Sequence, residues 1–103
     1  MKIRIIISII LVFSFFSPLK SDEIFVKGKE IFLNAGNCAT CHSLKDAGSV
    51  TNVGPNLNEI RPELARVEMA VKNGIGVMPS MLGILSEEEI KAVSYYVAES
   101  ANN

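Results

Sequence analysis

Apolar and polar residues follow the 3.6-residue period of amphipathic helices in three separate stretches of this chain. The stretches run from about residue 23 to 34, from 62 to 73, and from 86 to about 101. Two long loops rich in Gly, Pro and Asn separate them, at residues 43–60 and 74–85. No strand pattern and no internal repeat is visible, so the sequence predicts a small all-α fold with three main helices and long loops.

The first predicted helix carries a glycine in the middle of its apolar face. Ile24, Gly28, Ile31 and Phe32 fall at positions i, i+4, i+7 and i+8, which lie on one side of a helix. A glycine inside a helix costs about 1 kcal/mol relative to alanine. We therefore expect another element to approach the chain closely at Gly28.

The other two helices have recognisable ends. Pro62 suits the first position of the second helix, and Asn73-Gly74 provides its stop. Ser86 and Glu89 have the spacing of a capping box at the start of the third helix. The predicted apolar faces are Leu64, Val67 and Val71 in the second helix, and Ile90, Val93, Tyr96 and Val97 in the third.

The chain begins with a segment that has the composition of a secretory signal peptide. Two basic residues precede an apolar run from Ile5 to Phe16 that only two serines interrupt, and a polar stretch follows up to Ser21. The run is shorter than the about 20 apolar residues that a membrane-spanning helix needs. We expect residues 1–21 to be a signal peptide and residues 22–103 to form one domain; an uncleaved N-terminal membrane anchor is the alternative.

Charge and size exclude several classes of protein. The chain has 103 residues and a net charge of −1, without the clustered Lys and Arg that nucleic-acid binding needs. Removal of residues 1–21 takes three of the ten basic residues and none of the eleven acidic ones, which leaves 82 residues with a net charge of −4. A composition of 49% hydrophobic residues argues against disorder, and two cysteines cannot make a multi-disulfide scaffold. A domain this small usually needs a metal or cofactor to complete its core.

The chemistry is concentrated in Cys38-Ala39-Thr40-Cys41-His42, a C-x-x-C-H motif typical of covalent haem attachment. Thiols three residues apart lie on one side of a helical turn, so Cys38 and Cys41 can both reach the edge of one porphyrin. His42 is the only histidine and therefore the candidate iron ligand. A redox disulfide lacks its usual βαβ context, and a zinc site lacks a fourth Cys or His ligand. The motif predicts one covalently attached haem c with its iron.

A methionine is the expected second axial ligand of that iron. Outside the predicted signal segment the chain has Met69, Met78 and Met81. Met69 falls inside the second helix and is interpreted as a packing residue. Met78 follows two nearby glycines and precedes Pro79, so its loop can close over a porphyrin and be held there. We favour Met78, and Met81 is the alternative.

Together these features resemble the class I c-type cytochromes, the small single-haem electron carriers of the bacterial periplasm. The resemblance covers essentially all of residues 22–103. Besides the C-x-x-C-H motif it rests on Gly28 with Phe32, on Gly54-Pro55-Asn56-Leu57, on Gly76-Val77-Met78-Pro79 and on Tyr96. It implies the small cytochrome c fold wrapped around one haem, with the first and last helices crossing closely at Gly28 near Tyr96. It also implies that the Pro55 carbonyl accepts a hydrogen bond from the haem-ligating imidazole.

With His42 and Met78 both bound to iron, no position is left for a substrate. The sequence therefore predicts a periplasmic one-electron carrier rather than an enzyme, with a redox donor and a redox acceptor as transient partners. We expect no nucleic-acid partner and no stable membrane insertion after signal cleavage. The runs Asn73–Gly76 and Leu44–Gly48 also resemble haem subunits of bacterial sulfite dehydrogenases. The alternative function is therefore a haem c electron-transfer subunit held by a catalytic partner.

Overall fold

The computed structural model describes residues 20–103, which form four helices. They are α1 (Ser21–Leu33), α2 (Leu57–Ile60), α3 (Leu64–Asn73) and α4 (Glu87–Ala101). Two short 3₁₀ turns cover Cys38–Thr40 and Lys45–Ala47, and within residues 20–103 extended pairing is limited to isolated backbone bridges. The prediction of an all-α domain with three main helices is confirmed.

α1 packs against α4 at Gly28. A Cβ atom built at Gly28 would overlap the carbonyl oxygen of Ala92 and lie 2.6 Å from Cβ of Tyr96. Tyr96 is fully buried, and its ring meets Phe25 and Phe32 of α1 edge-on, with ring centroids 4.8 and 5.7 Å apart. The close approach expected at Gly28 is confirmed, because only a residue without a side chain lets the two helices touch there.

α4 begins at the predicted capping box. The hydroxyl of Ser86 accepts a hydrogen bond from the Glu89 amide at 3.1 Å, and the Glu89 carboxylate accepts one from the Ser86 amide at 2.9 Å. These bonds satisfy two amides that the first turn of a helix otherwise leaves unpaired. The whole predicted apolar face is buried: Ile90, Val93, Tyr96 and Val97.

α3 begins later than Pro62 predicts. Glu63 is extended, with φ −72° and ψ 155°, and is the residue that precedes the helix, so Pro62 lies one position further outside. The expectation of a proline at the first helical position is wrong. Pro62 is buried, and the helical conformation begins two residues after it, at Leu64. The helix ends at Asn73 as predicted, and Gly74 follows with φ 74°.

The buried face of α3 is narrower than the sequence pattern suggests. Val67 and Val71 are buried as expected, whereas Leu64, the first helical residue, is 41% exposed. Met69 is 64% exposed, so its interpretation as a packing residue is wrong. It lies two residues from both buried valines, and two residues correspond to about 200° around a helix.

The sequence pattern does not reveal α2. The Asn56 side chain accepts hydrogen bonds from the amides of Asn58 (2.9 Å) and Glu59 (3.3 Å) and so caps this four-residue helix. Leu57 is buried and anchors it to the core. α2 thereby shortens the first long loop, and the Leu57 amide ties it back to the Ser43 carbonyl at 3.0 Å.

The core lies between α1, α3 and α4. Its buried members are Ile31, Phe32, Leu44, Leu57, Val67, Val71, Leu85, Ile90, Ala92, Val93, Tyr96, Val97 and Ala101.

The predicted signal peptide lies outside the described residues up to position 19, and its last residue, Ser21, is the first of α1. Within residues 20–103, no helix has the length and apolar character needed to cross a membrane.

Candidate haem site

The C-x-x-C-H motif forms a single tight turn, separated from the end of α1 by four residues. Asn37 precedes it in the left-handed conformation (φ 52°), which asparagine tolerates better than most residues. The amides of Cys41 and His42 both donate to the Cys38 carbonyl, at 3.1 and 2.9 Å. This turn brings the two cysteines and the histidine within one short stretch of backbone.

The imidazole of His42 is held by the backbone of Pro55. The distance from His42 Nδ1 to the Pro55 carbonyl oxygen is 2.8 Å. A carbonyl oxygen can only accept, so Nδ1 carries the proton and donates. The lone pair of the neutral ring is then on Nε2, which is the nitrogen available to a metal.

Gly54 closes one side of the same imidazole. A Cβ atom built at Gly54 would lie 2.7 Å from Cε1 and 3.0 Å from Nδ1 of His42, closer than side-chain atoms pack. The Gly54 amide also donates to the Cys41 carbonyl at 2.7 Å. A residue with a side chain at position 54 would therefore displace the ring or break this hydrogen bond.

Two hydroxyl groups in the loop that follows the motif hold the carbonyl groups of the motif. Ser49 Oγ lies 3.0 Å from the Ala39 carbonyl and 2.5 Å from the His42 carbonyl, and Thr51 Oγ1 donates to the Ala39 carbonyl at 2.7 Å. Sequence reasoning missed Ser49 and Thr51, because a Ser or Thr in a loop carries no periodic signal. We call Ser49, Thr51 and Gly54 the motif clamp.

Cys38 and Cys41 are both half-buried, and neither is in a disulfide. Cys38 packs against the core. Burial raises the pKa of the Cys38 thiol to about 11, so the thiol is protonated at neutral pH. A neutral thiol resists oxidation better than a thiolate does.

Met78 lies in the loop between α3 and α4. Its amide donates to the Ile75 carbonyl at 2.9 Å, and its carbonyl accepts from the Ile75 amide at 3.0 Å, which closes a tight turn with Gly76 at φ 56°. Met78 is half-buried and packs against the same core as Cys38. Met81 is also half-buried against that core, so burial does not separate the two candidates.

The structure thus brings together some of the predicted site residues. Cys38, Cys41 and His42 share one turn, and Pro55 joins them through its hydrogen bond to the imidazole. Met78 belongs to a different loop and meets this group only through the common core.

The side chains present fit a haem. Two thiols and one oriented imidazole are the donor set that haem c requires. The loop that follows the motif also carries two strongly exposed apolar side chains, Val50 and Val53. Apolar surface of this kind matches the faces and edges of a porphyrin.

Fold and motif define a class of protein: a small all-α domain that carries one covalently attached haem. Residues 25–97 match the family described as cytochrome c oxidase, cbb3-type, subunit III. The chain is 38% identical over 82 residues to cytochrome c6 of Euglena gracilis, covering 72% of this chain and 90% of that protein. It is 36% identical over 87 residues to cytochrome c6 of Cladophora glomerata, covering 79% of this chain and 93% of that protein.

A solved structure agrees with these sequence matches. The c-type cytochrome SorU from Sinorhizobium meliloti superposes with a TM-score of 0.74 at 49% identity, covering 78% of this chain and 93% of that one. The chain belongs to the family of single-haem c-type cytochromes and has the cytochrome c fold. It is an electron carrier and not a catalytic enzyme, and the family together with the C-x-x-C at 38–41 implies one covalent haem c.

Proposed function

We propose that this chain is a periplasmic one-electron carrier in which Cys38 and Cys41 attach haem c, and His42 and Met78 are the axial ligands of the iron. The observation that carries this proposal is the 2.8 Å contact between His42 Nδ1 and the Pro55 carbonyl. It fixes the proton on Nδ1 and leaves Nε2 of the chain's only histidine as a nitrogen donor for iron. Pro55 is accordingly the residue that positions the ligand.

Each residue has one task in this proposal. When bound, haem c supplies an iron that takes up and releases single electrons. Cys38 and Cys41 hold the group through thioether bonds, so it cannot dissociate. His42 supplies nitrogen and Met78 supplies a soft thioether sulfur that favours ferrous iron. With His42 and Met78 as its two axial ligands, the iron would have no open position for a substrate.

We propose that redox partners dock briefly on an uncharged surface beside Met78. No charged residue occurs between Asn73 and Ser86, although 20% of the whole chain is charged. Val77 is 97% exposed, and Ile75 is 65% exposed in the same loop. A small apolar contact without ion pairs suits a partner that must leave soon after the electron has moved.

We propose that residues 1–21 direct export and are then removed. The support is the basic start, the short apolar run and the polar exit of this segment. N-terminal sequencing of the protein from a periplasmic extract should begin near Asp22. A sequence that begins at Met1, from protein in the membrane fraction, would instead favour the membrane-anchor alternative.

The axial ligand is tested by two matched substitutions, Met78→Ala and Met81→Ala. Met78→Ala should abolish the far-red charge-transfer band between thioether sulfur and ferric iron. It should also lower the reduction potential and let carbon monoxide bind the reduced protein. Met81→Ala should keep the band and only lower the free energy of unfolding, by about 1–3 kcal/mol for a half-buried methionine.

The pair of variants has two contradicting outcomes. If Met81→Ala loses the band and Met78→Ala keeps it, the sixth ligand is Met81. If both variants keep it, the ligand lies outside this loop and the electron-carrier mechanism needs another sixth ligand.

A second candidate is a haem subunit held by a catalytic partner, such as a sulfite-oxidising enzyme. It is favoured by the similarity of the runs Asn73–Gly76 and Leu44–Gly48 to haem subunits of sulfite dehydrogenases. Gel filtration of a native periplasmic extract separates the two functions. A free carrier should elute alone at the size of one small domain, whereas a subunit should co-elute with a larger protein.

A further inference from the structure

Ser80 ties the loop that carries Met78 to the end of α3. Its hydroxyl donates to the Lys72 carbonyl at 2.5 Å and accepts from the Leu82 amide at 3.2 Å. Within residues 74–85, these are the only hydrogen bonds made by a side chain. Ser80 is half-buried, so the contacts are partly shielded from competing water.

The contact satisfies a carbonyl group that α3 itself leaves unpaired. The last carbonyls of a helix have no partner within the helix. Here the Met81 amide donates to the Val71 carbonyl at 2.8 Å, and the Ser80 hydroxyl donates to the neighbouring Lys72 carbonyl. The segment that follows Met78 therefore caps the C-terminal end of α3. The Met81 backbone provides one hydrogen bond of this cap, and the Ser80 side chain provides the other.

Met78 is thus held between two fixed points. On its N-terminal side the reciprocal hydrogen bonds with Ile75 close a tight turn. On its C-terminal side stands Ser80, separated from it only by Pro79, whose ring limits backbone rotation. A Cβ atom built at Gly74 would lie 2.7 Å from the Met78 carbonyl and 2.8 Å from the Ser80 amide, so the returning chain lies directly on Gly74.

We propose that Ser80 is a positioning residue that keeps the Met78 sulfur on the iron by opposing the opening of this loop. The inference rests on the proposed function, in which Met78 is the sixth ligand. An external ligand reaches the iron only when the loop opens, so its apparent affinity is proportional to the open fraction. Loss of the Ser80 hydrogen bonds increases that fraction.

The test measures the binding of imidazole to the ferric holoprotein. Binding is monitored as the loss of the charge-transfer band. Ser80→Ala should increase the apparent imidazole affinity on the order of fivefold, the factor that one net hydrogen bond is worth. Ser80→Thr keeps a hydroxyl and should bind imidazole as the wild type does. Ser100→Ala is the matched control, because the Ser100 hydroxyl also donates to a backbone carbonyl, that of Tyr96 at 2.6 Å, but within α4.

The outcomes separate this proposal from the assignment of the ligand. Wild-type imidazole affinity in Ser80→Ala would overturn the role of Ser80, as would an equal increase in Ser100→Ala, which would reflect general loss of stability. Met78→Ala is measured in parallel. If it keeps the charge-transfer band, the proposed ligand is wrong, whereas its loss together with an unchanged Ser80→Ala affinity rejects only the inference about Ser80.

Discussion

The hydroxyl of Tyr96 donates a hydrogen bond to the Asp46 carboxylate, 2.7 Å away, across fifty positions of sequence. Asp46 lies in the 3₁₀ turn shortly after the C-x-x-C-H motif, so this bond fastens the last helix to the segment that carries the motif. The same Asp46 oxygen lies 3.4 Å from Lys29 Nζ, but both of these side chains are well exposed and their ion pair contributes little. The buried phenol is the stronger of the two attachments.

In Tyr96→Phe the free energy of unfolding should fall less as the pH rises above about 10 than it does in the wild type. Burial, reinforced by the hydrogen bond to Asp46, raises the pKa of Tyr96 above its usual value. Below pH about 10 the tyrosine is protonated in the folded and the unfolded chain, so its contribution is complete. As the pH rises further the unfolded chain releases the proton first, and folding stability is lost.

Guanidinium unfolding of the holoprotein at pH 7 and above pH 10 measures this effect. Tyr96→Phe should cost about 1–2 kcal/mol at pH 7, where the hydrogen bond is intact, and less at alkaline pH. Tyr95→Phe removes a hydroxyl group from the same helix without touching Asp46 and is the matched control. The prediction is wrong if the difference between wild type and Tyr96→Phe is the same at both pH values.

Cys38→Ala and Cys41→Ala should each leave at most one thioether bond. A domain as small as residues 20–103 depends on its cofactor to complete the core, so both variants should accumulate poorly and unfold at lower guanidinium concentration. Mass spectrometry of the exported wild type should show the added mass of haem. An exported chain with two free thiols and no haem mass would contradict the attachment proposed for these cysteines.

Gly28→Ala should weaken the contact between α1 and α4. The added methyl group would overlap the Ala92 carbonyl and crowd the Cβ of Tyr96, and backbone atoms cannot yield as a flexible side chain can. We expect a loss of about 2–3 kcal/mol in the free energy of unfolding. Gly48→Ala is a useful comparison, because a Cβ there meets nothing within 4 Å and only the positive φ opposes it. Equal losses in the two variants would show that helix crowding is not the cause.

Ser49→Ala should loosen the motif clamp. The His42 carbonyl then loses the Ser49 hydroxyl that lies 2.5 Å away. The Ala39 carbonyl keeps only the hydrogen bond from Thr51. A part-buried acceptor that loses its partner costs about 1–3 kcal/mol, to be measured by guanidinium unfolding of the holoprotein. Ser43→Ala loses a single hydrogen bond, to the Ser49 carbonyl, and should cost less. A larger loss in Ser43→Ala would contradict the importance given to the clamp.

The parts of the fold that sequence reasoning predicted are those with local signals. The capping box of Ser86 and Glu89 depends on four consecutive residues, and the apolar face of α4 repeats with the helical period. α2 was missed because four residues cannot show a period, although Asn56 before Leu57 is a capping signal that could have been used.

The remaining contacts depend on residues distant in sequence. The Tyr96–Asp46 hydrogen bond spans fifty positions, and the Asn102 side-chain amide donates to the Pro62 carbonyl across forty. Nothing in the neighbouring residues marks either pair, because their meeting depends on how the helices pack. The Pro55 contact was expected from the family resemblance alone, since neither composition nor period indicates which carbonyl will face the histidine.

The close approach of Gly54 to the His42 ring bears on how fast this protein can exchange electrons. The Pro55 hydrogen bond and the close approach of Gly54 both oppose rotation of the imidazole about its bond to Cβ. An electron transfer is slowed by every atom that must move when the charge changes, and groups already fixed in place require no reorganisation at that moment. In the proposed arrangement these two contacts would favour one orientation of the imidazole in both oxidation states, and the absence of a side chain at position 54 is what leaves room for that orientation.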